Sequence, residues 1–443
     1  MKKSNYWLKS GLINLFQNLI SVLLGFFSFY ILVRILSKDE YGSWVLFLSV
    51  VSIIEMGRNG LTQEALVKFL SSSSIEDKRL ITTATFIINI VLTIIIILLL
   101  FIFGPVLGNS WNAPEINTMF QLYILVFLFL GILNQLNCIE QANLNFTGIF
   151  YSTILRQAIF FGYVFFCYFM SYKTTIIFLT YVQIISIIAA TVVALLYTRK
   201  NISFSKTIDV SWIKKILHFG KYTFSISLST ILAGSIDQMM LGSMLSKTAS
   251  GSYNIAVRVT NLTDIPTNAM VSIVYPQSSI KIAKEGDASV KYLYEKSVGV
   301  ILAILVPVVI TMILFADMII PLIAGEKYTD SIPLLKVTLL GTLFAPYGRQ
   351  AGVILNSAGK TKFNFIIVIA TASLIIAFNF FFIGWFGVIG AAYATLLATI
   401  ISFIVSQAYM QKHYKINIFN PWIYAFHFYP EFYKKYILKQ KDK

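Results

Sequence analysis

The sequence predicts an all-α polytopic membrane protein: about twelve transmembrane helices of about 20 residues or more, in two pseudo-repeated six-helix bundles. Three observations carry this. Of 443 residues, 57% are apolar and 12% charged, whereas soluble domains carry roughly 25% charged residues. Uncharged runs, solid with Ile, Leu and Phe, recur along the whole chain; a β-barrel would show short alternating segments instead. The stretch LSKDEYGSW at 36–44 returns as LSKTASGSY at 245–253, an offset of 209 residues with no gap inside the motif.

Span 1 (11–36) follows the basic flank MKKSNYWLK. That flank has no small-residue cleavage site, so it reads as the edge of a retained helix. Span 2 (42–67) starts at the first copy of the motif. Span 3 (81–108) includes residues 85–108, which hold no ionisable group. Spans 4 (117–138), 5 (148–170) and 6 (174–198) complete the first half. Spans 7 (216–245) and 8 (251–280) flank the second copy. Spans 9 (293–323), 10 (333–356), 11 (363–383) and 12 (387–410) close the second half. Several are longer than a bilayer requires, which tilt accommodates.

The 35 basic residues orient the chain. With the N-terminus in the cytoplasm, about 25 of them fall in cytoplasmic segments and about five face outward. Both termini are then cytoplasmic, in the cell (inner) membrane. The formal net charge of +16 sits mostly in loops and in the tail, so the anionic inner leaflet, not nucleic acid, is the partner it implies. The longest cytoplasmic connection, 199–215, divides the spans six and six. This gives an N-terminal bundle (1–205), a C-terminal bundle (206–412) and an aromatic, lysine-rich interfacial tail (413–443). Both halves start from the cytoplasm, so the repeat is parallel, with a substrate path expected between them. In the repeat register Gly57 falls on Pro266, two helix-weakening residues that mark either a hinge or close packing.

Cys138 and Cys167 lie in apolar helices and read as small buried side chains. His218, His413 and His427 are widely spaced and receive no catalytic or metal role. No cofactor is expected.

Ionisable groups at bilayer depth cost at least ~2.5–3.5 kcal/mol each, so those within spans are the candidate site. The five bases are all arginines: Arg34, Arg58, Arg156, Arg258 and Arg349. Arginine keeps its charge when buried and grips phosphate bidentately. Arg58, Arg156 and Arg349 fall in the inner half. They either form a basic vestibule for an anionic head group or pair separately, Arg58 with Glu55 or Glu64. The acids Glu55, Glu64, Asp237 and Asp264 are candidates for gating or ion coupling, with a proton or sodium, or for satisfaction by a nearby arginine. Asp237 and Arg258 come out at similar depths, about 12–13 Å below the outer surface at 1.5 Å per residue, so the sequence predicts a pair between them.

Four stretches resemble a known family. They are LxxxxYG after the first helix, IDQMMLGSMLSKTASGSYNIAVRV at 236–259, LNSAGKTKFN at 355–364 and GVIGAAYATLLA at 387–398. Together they are similar to the polysaccharide-export, O-antigen-type branch of the multidrug/oligosaccharidyl-lipid/polysaccharide (MOP) transporter superfamily. The resemblance implies a MATE-like fold, with the two six-helix bundles around a central cavity, and alternating access. It also implies a cationic cavity and flipping of a polyprenyl-pyrophosphate-linked oligosaccharide from the cytoplasmic to the outer leaflet. The partners it implies are the lipid-linked oligosaccharide, membrane lipids, a polysaccharide polymerase and glycosyltransferases.

Two rivals remain open. An ion-coupled multidrug (MATE-type) antiporter would want an acid-dominated cavity for cationic substrates. A membrane polymerase or ligase would need a sizeable outer loop or a convergent catalytic set, and the sequence shows neither. The expectation is a transporter, not an enzyme.

Overall fold

A computed structural model describes residues 2–285, 288–358 and 360–432. Gly359 of the LNSAGKTKFN motif and residues 433–443 of the basic tail lie outside the described residues. The chain runs α1 (Lys2–Ile35), α2 (Lys38–Ser72), α3 (Ile75–Ser110), α4 (Glu115–Ala142), α5 (Thr147–Phe169), α6 (Ile176–Thr198), α7 (Val210–Met244) and α8 (Lys247–Thr260). After a 3₁₀ turn (Asn261–Thr263) come α9 (Asp264–Glu285), α10 (Ala288–Leu314) and α11 (Ala316–Ala324). A second 3₁₀ turn (Glu326–Tyr328) leads to α12 (Ser331–Thr342), α13 (Ala345–Ser357), α14 (Thr361–Phe386), α15 (Val388–Tyr414) and α16 (Asn420–Phe432). No strand occurs among the described residues.

Nine helices among the described residues are long and apolar enough to cross a membrane. They carry expected spans 1–6, 9, 11 and 12; span 9 itself ends at Leu314, and α11 follows as a separate helix. The other three spans fall on α7, on α8–α9 and on α12–α13. The last two are interrupted. Pro266 sits in the first turn of α9 and Pro346 in the first turn of α13, where a missing N–H is tolerated and a preceding helix cannot run on unbroken. Gly57, the repeat counterpart of Pro266, stands inside the continuous α2. A Cβ there would come 3.2 Å from the Phe224 ring, so in the first copy the small residue serves packing.

The repeated motif has a local physical reason in both copies. Ser37 is the N-cap of α2: its hydroxyl accepts from the Glu40 N–H, and the Ser37 N–H donates to the Glu40 carboxylate at 2.9 Å. This reciprocal box satisfies two otherwise orphaned donors. In the second copy only half of this remains: the Ser246 hydroxyl accepts from the Ala249 N–H at 3.1 Å, and alanine at 249 returns no side-chain bond.

The chain forms two compact units. The first holds Met1–Ser235 together with Ser246–Gly251; the second holds Ile236–Leu245 and Ser252–Lys443. In the first unit α4 packs on α6, α2 and α3, and α5 packs on α1 and α6. The Ser246–Gly251 hairpin belongs to this unit because Gly42 and Gly251, equivalent positions of the two motif copies, meet there. The Gly251 Cβ position lies 3.2 Å from the Gly42 Cα, and a Cβ on Gly42 would overlap the Lys247 carbonyl. Beside this contact Lys247 Nζ lies 3.3 Å from Glu115, which also accepts from the Ser43 hydroxyl at 2.6 Å.

In the second unit α14 packs on α15, α9 on α10 and α13, and α16 on α10. Its core gathers Val290, Tyr294, Val298, Tyr347, Ile354 and Met410. The described part of the tail is tied to α10. Glu295 accepts from the Asn417 N–H at 2.7 Å and the Asn420 amide at 2.8 Å, and the Tyr429 hydroxyl donates to the Ala303 carbonyl.

Candidate functional site

In the first unit two ionisable groups of α2, Arg58 and Glu55, are withdrawn from solvent among polar side chains of the bundle. Arg58 is 2% exposed. Its Nη1 donates to the Phe127 carbonyl on α4 at 2.7 Å, while Nε and Nη2 find no partner among the described residues. Glycine at 131 makes room for this arrangement. A Cβ there would overlap the Asn89 side-chain oxygen and stand 3.2 Å from Arg58 Nη1. Glu55, half-buried one turn earlier, accepts from the Tyr123 hydroxyl at 3.5 Å. The positive charges that act on Glu55 are those of Arg156 on α5 and then Arg58. The structure therefore brings Arg58, Arg156 and Glu55 into one neighbourhood. No ion pair within 4 Å joins them among the described residues, so two guanidinium charges share the field of one carboxylate. Glu64, the third of the candidate groups on α2, is exposed.

In the second unit Asp237, on the last turns of α7, is 4% exposed. Three neutral groups converge on its carboxylate. The Tyr253 hydroxyl of α8 donates at 2.8 Å, the Thr395 hydroxyl of α15 at 2.8 Å, and the Asn379 amide of α14 at 2.5 Å. The Asn379 side-chain oxygen, fully buried, finds no donor among the described residues. The expected Asp237–Arg258 pair does not form. Arg258 is exposed near the end of α8 and its Nε donates to Asn254 at 3.1 Å. Depth alone put the two together; the helix face on which each lies separates them.

Asp264, at the start of α9, is satisfied by Arg349 of α13 at 3.3 Å, and Arg349 also donates to Asn268 at 2.6 Å. Arg349 belongs to the second unit and Arg58 and Arg156 to the first. Arg34 closes α1, with its guanidinium 3.7 Å from the Tyr30 ring centre and a bond to the Tyr30 carbonyl at 3.2 Å.

Sequence reasoning missed the neutral partners: Asn89, Tyr123, Tyr253, Asn268, Asn379 and Thr395. One signal was available. Asn379 stands in SLIIAFNFFFIGWF, where a lone amide in an apolar helix requires a partner. Tyr253, the closing aromatic of the second motif copy, was visible only as an echo of Trp44.

Among the described residues no group of three or more His, Cys, Asp or Glu side chains is placed to hold a metal ion. The Asp237 group is different in kind: one carboxylate with amide and hydroxyl oxygens around it. Such a hard, singly charged donor set suits a proton or a monovalent cation.

Comparison with known proteins now decides the family. A family described as polysaccharide biosynthesis protein matches residues 31–333, more than half of the chain. The chain belongs to this family. Within it, the chain is similar to the lipopolysaccharide biosynthesis protein WzxC of Escherichia coli K12, 21% identical over 407 residues, covering 90% of this chain and 81% of WzxC. It is also similar to Agl15 of Haloferax volcanii, a probable low-salt glycan biosynthesis flippase, 24% identical over 53% of this chain and 50% of that protein. The match likewise spans 44% of the membrane protein MJ1068 of Methanocaldococcus jannaschii, so it covers about half the length of these last two relatives. Among solved structures, the lipid II flippase MurJ in an inward closed conformation superposes with a TM-score of 0.78 at 16% identity, covering 94% of this chain and 90% of MurJ. An inward-facing MATE multidrug transporter of the MOP superfamily gives 0.77 at 16% identity, covering 89% of this chain and 94% of that one. The fold of this family member is therefore that of the MOP transporters, and it is a multi-span membrane protein.

Proposed function

We propose that this protein is a flippase that carries a polyprenyl-pyrophosphate-linked oligosaccharide from the cytoplasmic to the outer leaflet by alternating access. The chemistry is transport, not bond making. The names of WzxC and Agl15 and the MurJ fold support the substrate class. The single observation in the molecule that carries it is Arg58: a desolvated guanidinium with two donor nitrogens left over, sharing with Arg156 the field of the one carboxylate Glu55. Burying such a donor without a partner is costly, and a pyrophosphate supplies both the charge and the acceptor oxygens. Arg156, half-buried on α5, is the outer member of this grip. Arg34, Arg258 and Arg349 are further cations for the anionic substrate.

Asp237 is the coupling site in this reading. A buried carboxylate fed only by neutral donors is stable when it takes up a proton or a sodium ion, with Asn379 and Thr395 supplying oxygens. Glu55, Glu64 and Asp264 are secondary candidates. Both termini face the cytoplasm by the distribution of lysine and arginine, and the polymerase and glycosyltransferases that use and make the substrate are the expected partners.

A multidrug antiporter shares the fold but would put acids where this chain has arginines. Proteoliposomes carrying a lipid-linked oligosaccharide on one leaflet separate the two. The flippase reading expects protein-dependent transfer to the other leaflet. Cation-dye efflux without sugar-lipid transfer would establish the antiporter instead.

A further inference from the structure

A cleft of about 520 Å³ lies within the first unit, lined by Phe69 of α2 and by Lys214, Lys215, His218 and Phe219 of α7. No acidic residue is among these. Its wall is aromatic: Phe69 packs edge-on against Trp212 and Phe219, each with ring centres 5.8 Å away. Its rim is basic. Lys68 Nζ stands 4.2 Å from the Phe219 ring centre and Lys215 Nζ 4.4 Å from that of Trp212, so the two ammonium groups stand over aromatic faces at the rim. Lys214, Lys215 and His218 are exposed, while beneath them Ala65, Ala84, Ile88 and Ile216 form a buried apolar cluster that holds α7 on α2 and α3. Asp209, which feels the Lys215 charge, is engaged by Ser211, and those hydrogen bonds hold its carboxyl below the usual carboxylate range.

We infer that this cleft binds an anionic phospholipid of the surrounding bilayer, the phosphate on the Lys214–Lys215–His218 rim and an acyl chain along Phe69 and Phe219. An apolar slot with a cationic mouth, between the end of the candidate span α2 and the start of α7, matches a lipid, which joins an anionic head to a hydrocarbon tail. A soluble anion would leave the slot unfilled, and a zwitterionic lipid would not exploit the rim charge. The lipid would clamp the start of α7, the helix whose far end carries Asp237. This site is separate from the arginines assigned above, and it can be tested without any sugar-lipid.

Purified protein in uncharged detergent is titrated with phosphatidylglycerol, followed by native mass spectrometry and by thermal unfolding. The expected result is retained phosphatidylglycerol and a higher unfolding midpoint for the wild type. In K214Q/K215Q the affinity falls about tenfold or more, as expected for removing two surface charges, with an unchanged midpoint in the absence of lipid. Arginine at both positions restores binding. Equal binding by K214Q/K215Q, an equal shift with phosphatidylcholine, or an equal shift with inorganic pyrophosphate alone overturns the inference. Should K214Q/K215Q unfold early, His218→Gln in the wild-type background provides the same comparison, and undiminished binding there also counts against the site.

Discussion

Glu55 in the first unit lies in the field of two guanidinium groups, Arg156 and Arg58. Asp237 in the second unit receives hydrogen bonds from Tyr253, Thr395 and Asn379, all neutral. Each places a carboxylate at bilayer depth, where charge is expensive. The first is compensated by positive charge, with arginine donors to spare. The second has polar partners and no paired cation among the described residues, so its charge is left to be neutralised from outside. That difference is the ground for proposing that the first unit receives an anion and the second a proton or a sodium ion: a surplus of cationic donors suits a phosphate, and a lone carboxylate among oxygens suits a small cation.

The largest expected effect comes from removing the charge at Asp237. D237N keeps the shape and most of the hydrogen bonding, so the fold stands, but flipping no longer responds to an imposed cation gradient. The contrasting change in the other unit is Arg58→Met. Arg58 forms no ion pair within 4 Å among the described residues, so an apolar side chain of similar volume removes the desolvation penalty of a buried charge and loses one hydrogen bond to the Phe127 carbonyl. Thermal unfolding should therefore hold or rise while sugar-lipid transfer falls about tenfold, the loss of about 1.4 kcal/mol of substrate interaction. A fall in stability together with activity would make Arg58 a structural clamp and erase the contrast. A smaller effect is expected for Asn379→Ala, which leaves Asp237 charged but removes an oxygen and an amide: cation affinity should drop about 10-fold while anion binding is untouched.

Gly42→Ala tests the contact shared by the two motif copies. A Cβ there overlaps the Lys247 carbonyl, and forcing atoms into a filled contact costs about 1–3 kcal/mol, readable as a lower unfolding midpoint. Lys247→Ala, beside it, removes a partly exposed bond to Glu115 and should cost under about 1 kcal/mol.

The spanning helices were legible because the bilayer imposes a length and an apolar composition on each. The arginines stood out too, since charge inside such helices is expensive, but their surroundings did not: Arg58 is buried, whereas Arg258 and Arg349 are exposed. The start of α2 at Lys38 lies earlier than the expected 42, because Ser37 and Glu40, three residues apart, form a capping box that a reading of this stretch as a loop passes over. The breaks before Pro266 and Pro346 were harder to place, because proline marks a helix start as readily as a kink. The partners of Asp237 were illegible for another reason. Asn379 and Thr395 lie 142 and 158 residues away in the chain, and neutral side chains carry no charge to flag them. The failed Asp237–Arg258 pair has the same origin: residue counting gives depth, but the face a residue presents depends on how the helices pack.

The most direct measurement is gradient-driven flipping in proteoliposomes, with wild type and D237N compared under imposed sodium and proton gradients. The account predicts that one of the two gradients accelerates transfer of the lipid-linked oligosaccharide by the wild type and leaves D237N at its ungraded rate. Wild-type protein that transfers no sugar-lipid, or a D237N protein that responds to the gradient as the wild type does, would contradict it.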